Sequence, residues 1–574
     1  MRLFTYRRFP VVFLFLWLVI IFVAVTYFMS KGPQCDGYAT ELEAVKLQVK
    51  RLSDMNDRLQ ELVRKSSNNN NGQGLSQNQD KPNEIVKNSN DNNNNNNNLF
   101  QDKWSNRQNQ ATVSYQREKV RRRIVNGAKE VWYFIRSELK KVSADNNALS
   151  QRVNDMLDYV LNQTFALRID GEMLGDIDGL KEVRHKKLNQ LKQLLTDRLD
   201  TLQSPADCSK ARKLLCKLNK GCGYGCQMHH AVYCLIVAYA TKRTLLLDTN
   251  GWRYMPQNGW EGYFKPLSTN CKIGSESQAS PWDGHNDADL LVHLPISDGI
   301  TRRPSYLPLA IPKDMSETLL TYHGHPFVWF VGHMMRYLLR WQSTTQNFID
   351  DKKKELKFDK PIVGIHVRRT DKINSEAALH NIEEYMVHVE EYYQKLKRTT
   401  KVPVKRVFIA TDEPKVVDEA RKRYKDYVFV SDAQASKSAA LSSRYSDQSL
   451  RGIILDIEIL AQTDYLVCTF SSQVCRLAYE IMQTYHDDAS QYFHSLDDIY
   501  YFGGQNMHRH KAIYPHAARR QGEIDLAVGD IIAVAGNHWD GYSKGRVQGK
   551  GWDGLYPSYK TEDVPDIGDF AAYN

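Results

Sequence analysis

A concentrated group of charged side chains follows one apolar segment near the middle of the 574-residue chain. Residues 362–367 (IVGIHV) are rich in β-branched side chains, which predicts a buried parallel strand, and Arg368 and Arg369 come directly after it. The carboxyl ends of such strands line the ligand crevice of an open α/β sheet, and a guanidinium group matches the geometry of phosphate oxygens. We therefore predict a site for a phosphorylated ligand, with a solvated basic turn as the alternative.

The next predicted strands also end in polar side chains. Those side chains are Thr411 and Asp412 after residues 406–410, Asp432 after 427–430, and Ser471 and Ser472 after 465–470. Ser472 opens a predicted helix, and the free N–H groups of a helix start bind phosphate, so an arginine and this helix start can hold a diphosphate without a metal. Asp456, on the preceding helix, can accept two hydrogen bonds from a guanine, although a solvated helix carboxylate is the alternative.

Asp371, Lys372 and Glu376 complete the charged segment. If a nucleoside diphosphate leaves from this site, Arg368, Arg369 or a lysine can stabilise the growing negative charge. A nearby carboxylate must then accept the proton of the attacking hydroxyl, and Glu376 is our candidate, with Lys372 close enough to tune it. A helix-capping or salt-bridged glutamate is the alternative interpretation of Glu376.

Two α/β regions are expected to position these side chains. Between 361 and 500, strands alternate with helices of about 10 to 18 residues, which favours a doubly wound parallel sheet. A first α/β region is predicted at 204–360, with strands at 244–248 and 289–294 and a tight loop at Gly221, Gly223 and Gly225. Helical periodicity predicts that the preceding segment, 111–203, forms helices that pack on one another or on a partner chain.

The amino terminus predicts a membrane anchor. Arg2, Arg7 and Arg8 precede an apolar run at 10–29, long enough for a transmembrane helix and too long for a cleaved signal peptide. By the positive-inside tendency, residues 1–9 form a cytosolic tail and the remainder is luminal. Apolar residues at heptad spacing predict a self-associating coiled-coil stem at 30–65, and the asparagine-rich segment 66–110 predicts a disordered spacer. The net charge of +10 is spread out and does not indicate nucleic acid.

Nine cysteines are expected to form disulfides in an oxidising compartment, but the spacing alone leaves the pairing open. Cys35 is isolated and is a candidate for a bond between two chains. A zinc site at Cys222, Cys226, His229 and His230 is the alternative, although this spacing does not fit the usual zinc-finger patterns. Asn162 with Thr164 forms a glycosylation sequon.

Short β-like segments separated by glycine turns occupy the tail at 505–566. The strings GDIIAVAGNHWDGYSKG and GLYPSYK resemble an SH3 domain, and another small β-barrel is the alternative.

Several long strings extend this resemblance to most of the chain. The strings HVRRTDK, EEYMVH, CTFSSQVCR, SLDDIYYFGGQN, NKGCGYGC and AGNHWDGYSKG are similar to those of the α-1,6-fucosyltransferases. The resemblance implies a Golgi type II membrane enzyme with two Rossmann-like regions of the GT-B-like type, an amino-terminal coiled coil and a carboxyl-terminal SH3 domain. It also implies inverting, metal-independent transfer of fucose from GDP-fucose to the 6-hydroxyl of the innermost Asn-linked GlcNAc of an N-glycan. The expected partners are GDP-fucose, an N-glycoprotein and a second copy of the chain, with no cofactor.

The resemblance also assigns roles to individual residues. Donor binding would involve His366, Arg368, Arg369, Asp371, Tyr385, Asp412, Asp456 and Ser472. Acceptor binding and catalysis would involve Lys220, Asp298, Lys372, Glu376, Gln473, Asp497 and His538. The implied disulfides are Cys208–Cys271, Cys216–Cys234, Cys222–Cys226 and Cys468–Cys475.

Two Asp-x-Asp pairs bear on whether a metal is required. The Asp-x-Asp pairs at Asp176 with Asp178 and at Asp287 with Asp289 lie away from the predicted donor site, which favours metal independence.

Another luminal fucosyltransferase, such as a protein O-fucosyltransferase, could share the donor-binding half, and a membrane-tethered SH3 scaffold is an alternative of a different class. Glu413 stands where the family leads us to expect a second aspartate after Thr411, and residues 302–308 have lost part of a proline-rich string.

Overall fold

The structure is a computed structural model. It describes residues 115–143, 147–177, 179–254, 259–273, 279–284, 288–300, 302–369, 378–439, 443–503, 508–537 and 539–573. These residues all belong to one compact unit, Leu99–Asn574.

Three long helices come first: α1 (Tyr115–Ser143), α2 (Asn147–Ile177) and α3 (Leu180–Gln203). Trp132 of α1 packs with Val153, Leu157, Leu161 and Phe165 of α2, whose spacing of four residues forms one helical stripe. Leucines of α3 at the same spacing, from Leu188 to Leu199, join the main core of the α/β regions. The predicted helical segment therefore packs partly on itself and partly on the rest of the chain.

The first α/β region has a parallel sheet of four strands in the order β2-β1-β4-β3. Its strands and the helix between β1 and β2 are β1 (Lys213–Lys217), α4 (Tyr224–Ala240), β2 (Thr244–Asp248), β3 (Ser280–Pro281) and β4 (Leu291–Leu294). Helix α4 is buried along almost its whole length because it packs within the main core. A short strand, β5 (Ala310–Pro312), and the helices α5 (Lys313–Tyr322), α6 (Pro326–Leu338) and α7 (Ser343–Glu355) lead to the second region.

The second α/β region has a parallel sheet of five strands in the order β10-β9-β6-β7-β8. Its elements are β6 (Ile362–Val367), α8 (Ile382–Leu396), β7 (Lys405–Thr411), α9 (Lys415–Arg423), β8 (Tyr427–Val430), α10 (Ala433–Ser438), α11 (Asp447–Gln462), β9 (Tyr465–Cys468), α12 (Gln473–Met482) and β10 (Phe493–Ser495). Strand β6 is central, pairs with β7 and β9, and is buried at all six positions. This burial explains its continuous apolar sequence.

The carboxyl-terminal barrel is antiparallel, with strand order β14-β13-β12-β11-β15. Its strands are β11 (Arg509–Ala512), β12 (Ile531–Asn537), β13 (Tyr542–Val547), β14 (Gly554–Pro557) and β15 (Thr561–Asp563). A small separate core around Ile532 and Tyr556 fills it. The last strand, β16 (Asp566–Gly568), leaves the barrel and pairs with β5.

Four disulfides join the pairs that the family resemblance implies: Cys208–Cys271, Cys216–Cys234, Cys222–Cys226 and Cys468–Cys475. The zinc interpretation of the cysteine-rich loop is therefore wrong, because Cys222 and Cys226 are bonded to each other. Cys35 lies outside the described residues.

The predicted fold class needs one correction. No helix among the described residues is both long and apolar enough to cross a membrane. The apolar helix α4, for example, has 17 residues, whereas a membrane span needs about 20. The predicted transmembrane segment at 10–29, the stem at 30–65 and the spacer at 66–110 lie outside the described residues. The fold that the described residues show is two parallel α/β sheets, a helical segment and an SH3-like barrel, and a membrane-spanning helix, on which the predicted Golgi membrane location depended, is not among them.

Candidate functional site

A cavity of about 590 Å³ lies at the carboxyl end of β6, between the two α/β regions. One wall comes from the second region, through His366, Arg368, Asp412 and Asp456. The opposite wall comes from the disulfide-bonded loop that begins at Lys220 and leads into α4. The cavity therefore lies where an open α/β sheet is expected to bind its ligand.

The end of β6 points every second side chain into this cavity. His366 and Arg368 line it, whereas Arg369 does not appear in its wall. The Arg369 backbone N–H donates to Asp412 Oδ1 (2.9 Å), and its guanidinium Nη1 lies 3.3 Å from Glu419 Oε2 and 3.7 Å from Glu413 Oε2. Because side chains alternate along an extended chain, the two arginines face different surroundings. Arg369 holds the strand end in place, and Arg368 is the arginine at the cavity.

His366 is uncharged in this environment. Burial, followed by the nearby Arg368 guanidinium, lowers the pKa of His366 to about 4. Its Nδ1 atom is buried and has no hydrogen-bond partner among the described residues. A neutral imidazole with an unused ring nitrogen at the cavity wall can bind a polar group of a ligand.

Helix α11 brings Asp456 to the cavity. Ser449, Ile453 and Asp456 all line it, at the four-and-three spacing that places side chains on one helix face. Ser446 caps the helix by accepting a hydrogen bond from the Ser449 N–H (3.1 Å), which fixes its start. Asp456 is only 8% exposed, and burial, with a smaller effect of Asp432, raises the pKa of its carboxyl group well above the usual range. A buried carboxyl group at a cavity wall is a strong candidate for a specific ligand contact.

The amino terminus of α12 forms another part of the wall. Gln473 and Val474, in its first turn, line the cavity, and Ser472 is the N-cap residue. The Ser472 hydroxyl is buried and has no hydrogen-bond partner among the described residues. The first N–H groups of a helix have no partner within the helix, so this end of α12 can bind an anion.

Two of the residues assigned through the family lie behind the wall. Asp497 accepts hydrogen bonds from the N–H groups of Phe470 (2.7 Å) and Ser471 (3.3 Å) and from the Ser495 hydroxyl (3.0 Å). It therefore holds the loop between β9 and α12. Tyr385 of α8 is 1% exposed, and burial raises the pKa of its hydroxyl. Neither side chain lines the cavity.

The acceptor side is only partly described. Lys220 and Gln473 line the cavity. Asp298 belongs to the helical turn Ser297–Gly299, and its neighbour Ser297 lines the cavity. Asp371, Lys372, Glu376 and His538 lie outside the described residues, so the assignments made for them stay predictions.

Sequence reasoning missed an aromatic part of the wall. Tyr254 and Tyr445 both line the cavity, and their ring centroids lie 5.1 Å apart in an edge-to-face arrangement. The Arg253 guanidinium lies over the Tyr445 ring at 3.8 Å from its centroid, and the Tyr254 hydroxyl accepts a hydrogen bond from the Tyr224 N–H (3.0 Å). The sequence gives one indication that Tyr445 lies at the cavity: it directly precedes Ser446, the cap residue of the helix that carries Asp456.

Comparison with known proteins identifies the family. A family model for the N- and catalytic domains of alpha-(1,6)-fucosyltransferase matches residues 1–501. An alpha-(1,6)-fucosyltransferase from Drosophila melanogaster is 47% identical over 469 residues, which cover 80% of this chain and 75% of that protein. The chain belongs to the alpha-(1,6)-fucosyltransferase family. A second alpha-(1,6)-fucosyltransferase, from Caenorhabditis elegans, is 44% identical over 395 residues, 68% of this chain and 70% of that protein.

The alpha-(1,6)-fucosyltransferase family membership shows that the protein is a fucosyltransferase enzyme. A variant SH3 domain model matches residues 512–562, which confirms the predicted nature of the barrel. Among solved structures, the fucosyltransferase NodZ from Bradyrhizobium is 17% identical and covers 46% of this chain and 91% of that protein, with a TM-score of 0.29. That likeness is too weak to assign a role to any residue.

Proposed function

We propose that this fucosyltransferase transfers fucose from GDP-fucose, with inversion and without a metal ion, to the 6-hydroxyl of the innermost Asn-linked GlcNAc of an N-glycan. The observation that carries the proposal is the convergence of His366, Arg368, Asp456 and the start of α12 on one cavity. Its volume of about 590 Å³ lies within the range of about 300–1,000 Å³ that is usual for small-molecule sites. Family membership supports the choice of sugar and linkage.

The donor would bind with its guanine at Asp456 and its diphosphate between Arg368 and the start of α12. An ionised Asp456 can accept from the two adjacent N–H groups of guanine, and the Ser472 hydroxyl can donate to a phosphate oxygen. His366 also lines the cavity and can bind the ribose or the phosphate. Arg369 then acts indirectly, by fixing the end of β6 through Asp412.

The transfer step breaks the bond between fucose C1 and the β-phosphate oxygen and forms a bond between C1 and the acceptor oxygen on the opposite face. The electron pair of the broken bond leaves with GDP, whose growing charge Arg368 and the start of α12 would stabilise. The proton of the acceptor hydroxyl passes to a carboxylate, for which Glu376 remains our candidate, with Lys372 beside it. Lys220, Asp298, Gln473, Asp497 and His538 remain the candidates for acceptor binding, either directly or, for Asp497, by holding the α12 loop.

The test is to incubate the purified chain with GDP-fucose and an N-glycopeptide that carries exposed GlcNAc, with and without EDTA. We expect fucose on the 6-hydroxyl of the innermost GlcNAc in both reactions. Transfer to a peptide serine or threonine instead would favour a protein O-fucosyltransferase and contradict the proposed acceptor. Loss of transfer with EDTA would contradict the metal-independent step.

The donor site is tested separately by Arg368→Ala, which we expect to abolish donor use while the fold is retained. Arg451→Ala is the control, because Arg451 is half-exposed and pairs with Asp447 away from the cavity. Full activity of the Arg368→Ala variant would contradict the phosphate-binding role of Arg368.

A further inference from the structure

Two histidines and an aspartate meet at one edge of the SH3-like barrel, away from the donor cavity. His510 of β11 lies directly opposite Asp563 of β15 in the antiparallel ladder. His508 lies two residues before His510, and its carbonyl accepts a ladder hydrogen bond from the Val534 N–H (2.9 Å). Side chains two residues apart on an extended chain share one face, so both imidazoles lie on the side of Asp563.

The ligand atoms of these three side chains are close enough to share an ion. One nitrogen of each imidazole and one carboxylate oxygen all lie within 4.8 Å of one another. His510 Nε2 is 2.9 Å and His508 Nδ1 is 3.8 Å from Asp563 Oδ1. Ligands at about 2.0–2.2 Å from a tetrahedral zinc ion are separated by about 3.3–3.5 Å, a value that lies between the two imidazole–carboxylate distances.

The second nitrogen of His510 is held in the way that metal-bound histidines require. Its Nδ1 lies 3.1 Å from Thr561 Oγ1 and 3.3 Å from the Tyr556 hydroxyl oxygen. A hydrogen bond from Nδ1–H to either oxygen fixes the ring tautomer that leaves Nε2 with a free lone pair toward Asp563. The ring of His325, at the start of α6, packs edge-to-face on His508 with centroids 5.9 Å apart and limits its rotation.

Access to the three side chains is open on one side. The side chains of His508 and His510 are 19% and 18% exposed, and that of Asp563 is 57% exposed. All three line a second cavity, of about 370 Å³, between the barrel, α1 and the start of α6. Three protein ligands therefore leave at least one coordination position for water or for a group in this cavity.

Among the described residues, one other group of three side chains has metal-ligand spacing, Cys216, His230 and Cys234. Cys216 and Cys234 form a disulfide there, so their sulfur atoms are not available as thiolates. The barrel group keeps all three of its ligands available.

We propose that His508, His510 and Asp563 form a binding site for a divalent transition-metal ion of the zinc type. Two imidazoles and a carboxylate are the ligand set that zinc accepts in open sites, whereas calcium and magnesium require mainly oxygen. The ion would join the first and last strands of the barrel. It is separate from the donor cavity and takes no part in the proposed transfer step.

The proposal is tested on the purified full chain, freed of any polyhistidine tag and dialysed against EDTA. Isothermal titration with ZnCl₂ should detect one equivalent that is lost, or weakened at least about 10-fold, in His508→Ala and in Asp563→Asn. Asp563→Asn keeps the side-chain shape. His185→Ala is the matched control, because His185 also pairs with a carboxylate, Asp487 at 2.9 Å, but is exposed and belongs to no group of three among the described residues.

Two further measurements separate metal binding from a structural role. Zn²⁺ should raise the midpoint of thermal unfolding of the parent chain and of His185→Ala, and of neither site variant. Co²⁺ should give the visible absorption bands of a bound ion in the same two proteins. The proposal is overturned if the parent chain binds no equivalent of Zn²⁺, or if folded His508→Ala and Asp563→Asn bind it as tightly as the control.

Discussion

Asp456 is subject to two opposing requirements. Its burial next to Asp432 favours the neutral carboxyl group, which is why its pKa is raised. The guanine contact that we propose requires the carboxylate, because the N–H groups of guanine are donors. The residue that would provide base recognition therefore destabilises the unliganded fold when it is ionised.

This conflict predicts that Asp456→Asn loses donor binding without losing stability. An amide cannot accept from both guanine N–H groups, so we expect GDP affinity to fall at least about 10-fold, the loss for a charge-assisted hydrogen bond. The midpoint of thermal unfolding should stay the same or rise, because a raised carboxyl pKa in the folded state means that ionisation opposes folding. Calorimetric GDP titration and thermal unfolding measure the two quantities.

Asp447→Asn is the control for this variant, because Asp447 lies on the same helix but is half-exposed and pairs with Arg451. The parent chain should also lose GDP affinity as the pH falls through the raised pKa of Asp456, whereas Asp456→Asn should lack this contribution to the pH dependence. A variant with unchanged GDP affinity would contradict the guanine contact.

The start of α12 depends on how closely the disulfide-bonded loop approaches it. A Cβ atom on Gly225 would lie 2.9 Å from the Gln473 carbonyl carbon and 3.0 Å from its Cβ. These are backbone and near-backbone atoms of the first turn of α12, so they cannot move aside without moving the helix start. Gly225 is thus required by the contact between the two halves of the cavity wall.

We predict that Gly225→Ala weakens GDP binding and destabilises the fold by about 1–3 kcal/mol, the usual cost of overpacking. Gly223→Ala is the matched control, because its Cβ would meet nothing within 4 Å and its φ is −70°. GDP titration and urea unfolding of both variants provide the comparison. Equal effects of the two substitutions would show that the contact with Gln473 is unimportant.

Sequence patterns located elements best where residue type and length together distinguish a strand from a helix. The run 362–367 coincides with β6, because a run of six residues rich in β-branched side chains is typical of a buried strand. Helix α4 was missed because its sequence, YGCQMHHAVYCLIVAYA, is apolar on all sides and shows no helical period.

Part of the cavity wall could be predicted from the sequence. Arg368 was placed from the end of a predicted strand, Asp456 from the helix before the next strand and His366 through the family resemblance, and all three line the cavity. Arg369 was assigned to the donor together with Arg368, although alternation along an extended chain would have separated them. Tyr254 could not be predicted, because it reaches the cavity only through the packing of the two α/β regions.

At the scale of the whole molecule, α1 connects the barrel to the α/β regions. Phe134 of α1 lies against Gly541, where a Cβ would be 2.7 Å from the Phe134 Cβ. Lys119 and Arg123 pair with Glu562 at 2.8 and 3.1 Å, and Arg520 lies 3.4 Å from Glu138. The close contact at Gly541 is apolar, and the ion pairs involve residues before and after Phe134 on α1.

We predict that Gly541→Ala destabilises the chain more than Gly549→Ala does. Both glycines have a positive φ, +90° and +83°, so the backbone strain of the substitution is similar. A Cβ on Gly549 would meet nothing within 4 Å. The difference between the two losses in free energy of unfolding, about 1–3 kcal/mol, therefore measures the contact with Phe134. Urea unfolding of both variants measures it, and equal losses would mean that α1 does not hold the barrel through Phe134.

Glu130 makes the same junction sensitive to pH. It lies on α1 beside Ser558 of the barrel, and burial raises its pKa to about 7. Its unfolded-state pKa is about 4.3, so between pH 4.3 and 7 the folded chain binds more protons than the unfolded chain. The contribution of Glu130 to stability is therefore present at low pH and is lost as the pH rises to about 7.

Glu130→Gln should remove this loss, because the amide stays neutral. The free energy of unfolding of the variant, compared with that of the parent chain, should therefore be higher at pH 8 than at pH 5 by on the order of 1–3 kcal/mol. Glu138→Gln is the control: Lys141 lowers the pKa of Glu138 on the same helix, so this carboxyl group titrates below pH 5 and its substitution should leave the dependence between pH 5 and pH 8 as it is in the parent chain. Urea unfolding of the parent chain and the two variants at pH 5 and pH 8 measures these free energies. If the parent chain and Glu130→Gln show the same dependence on pH, Glu130 does not titrate at this junction.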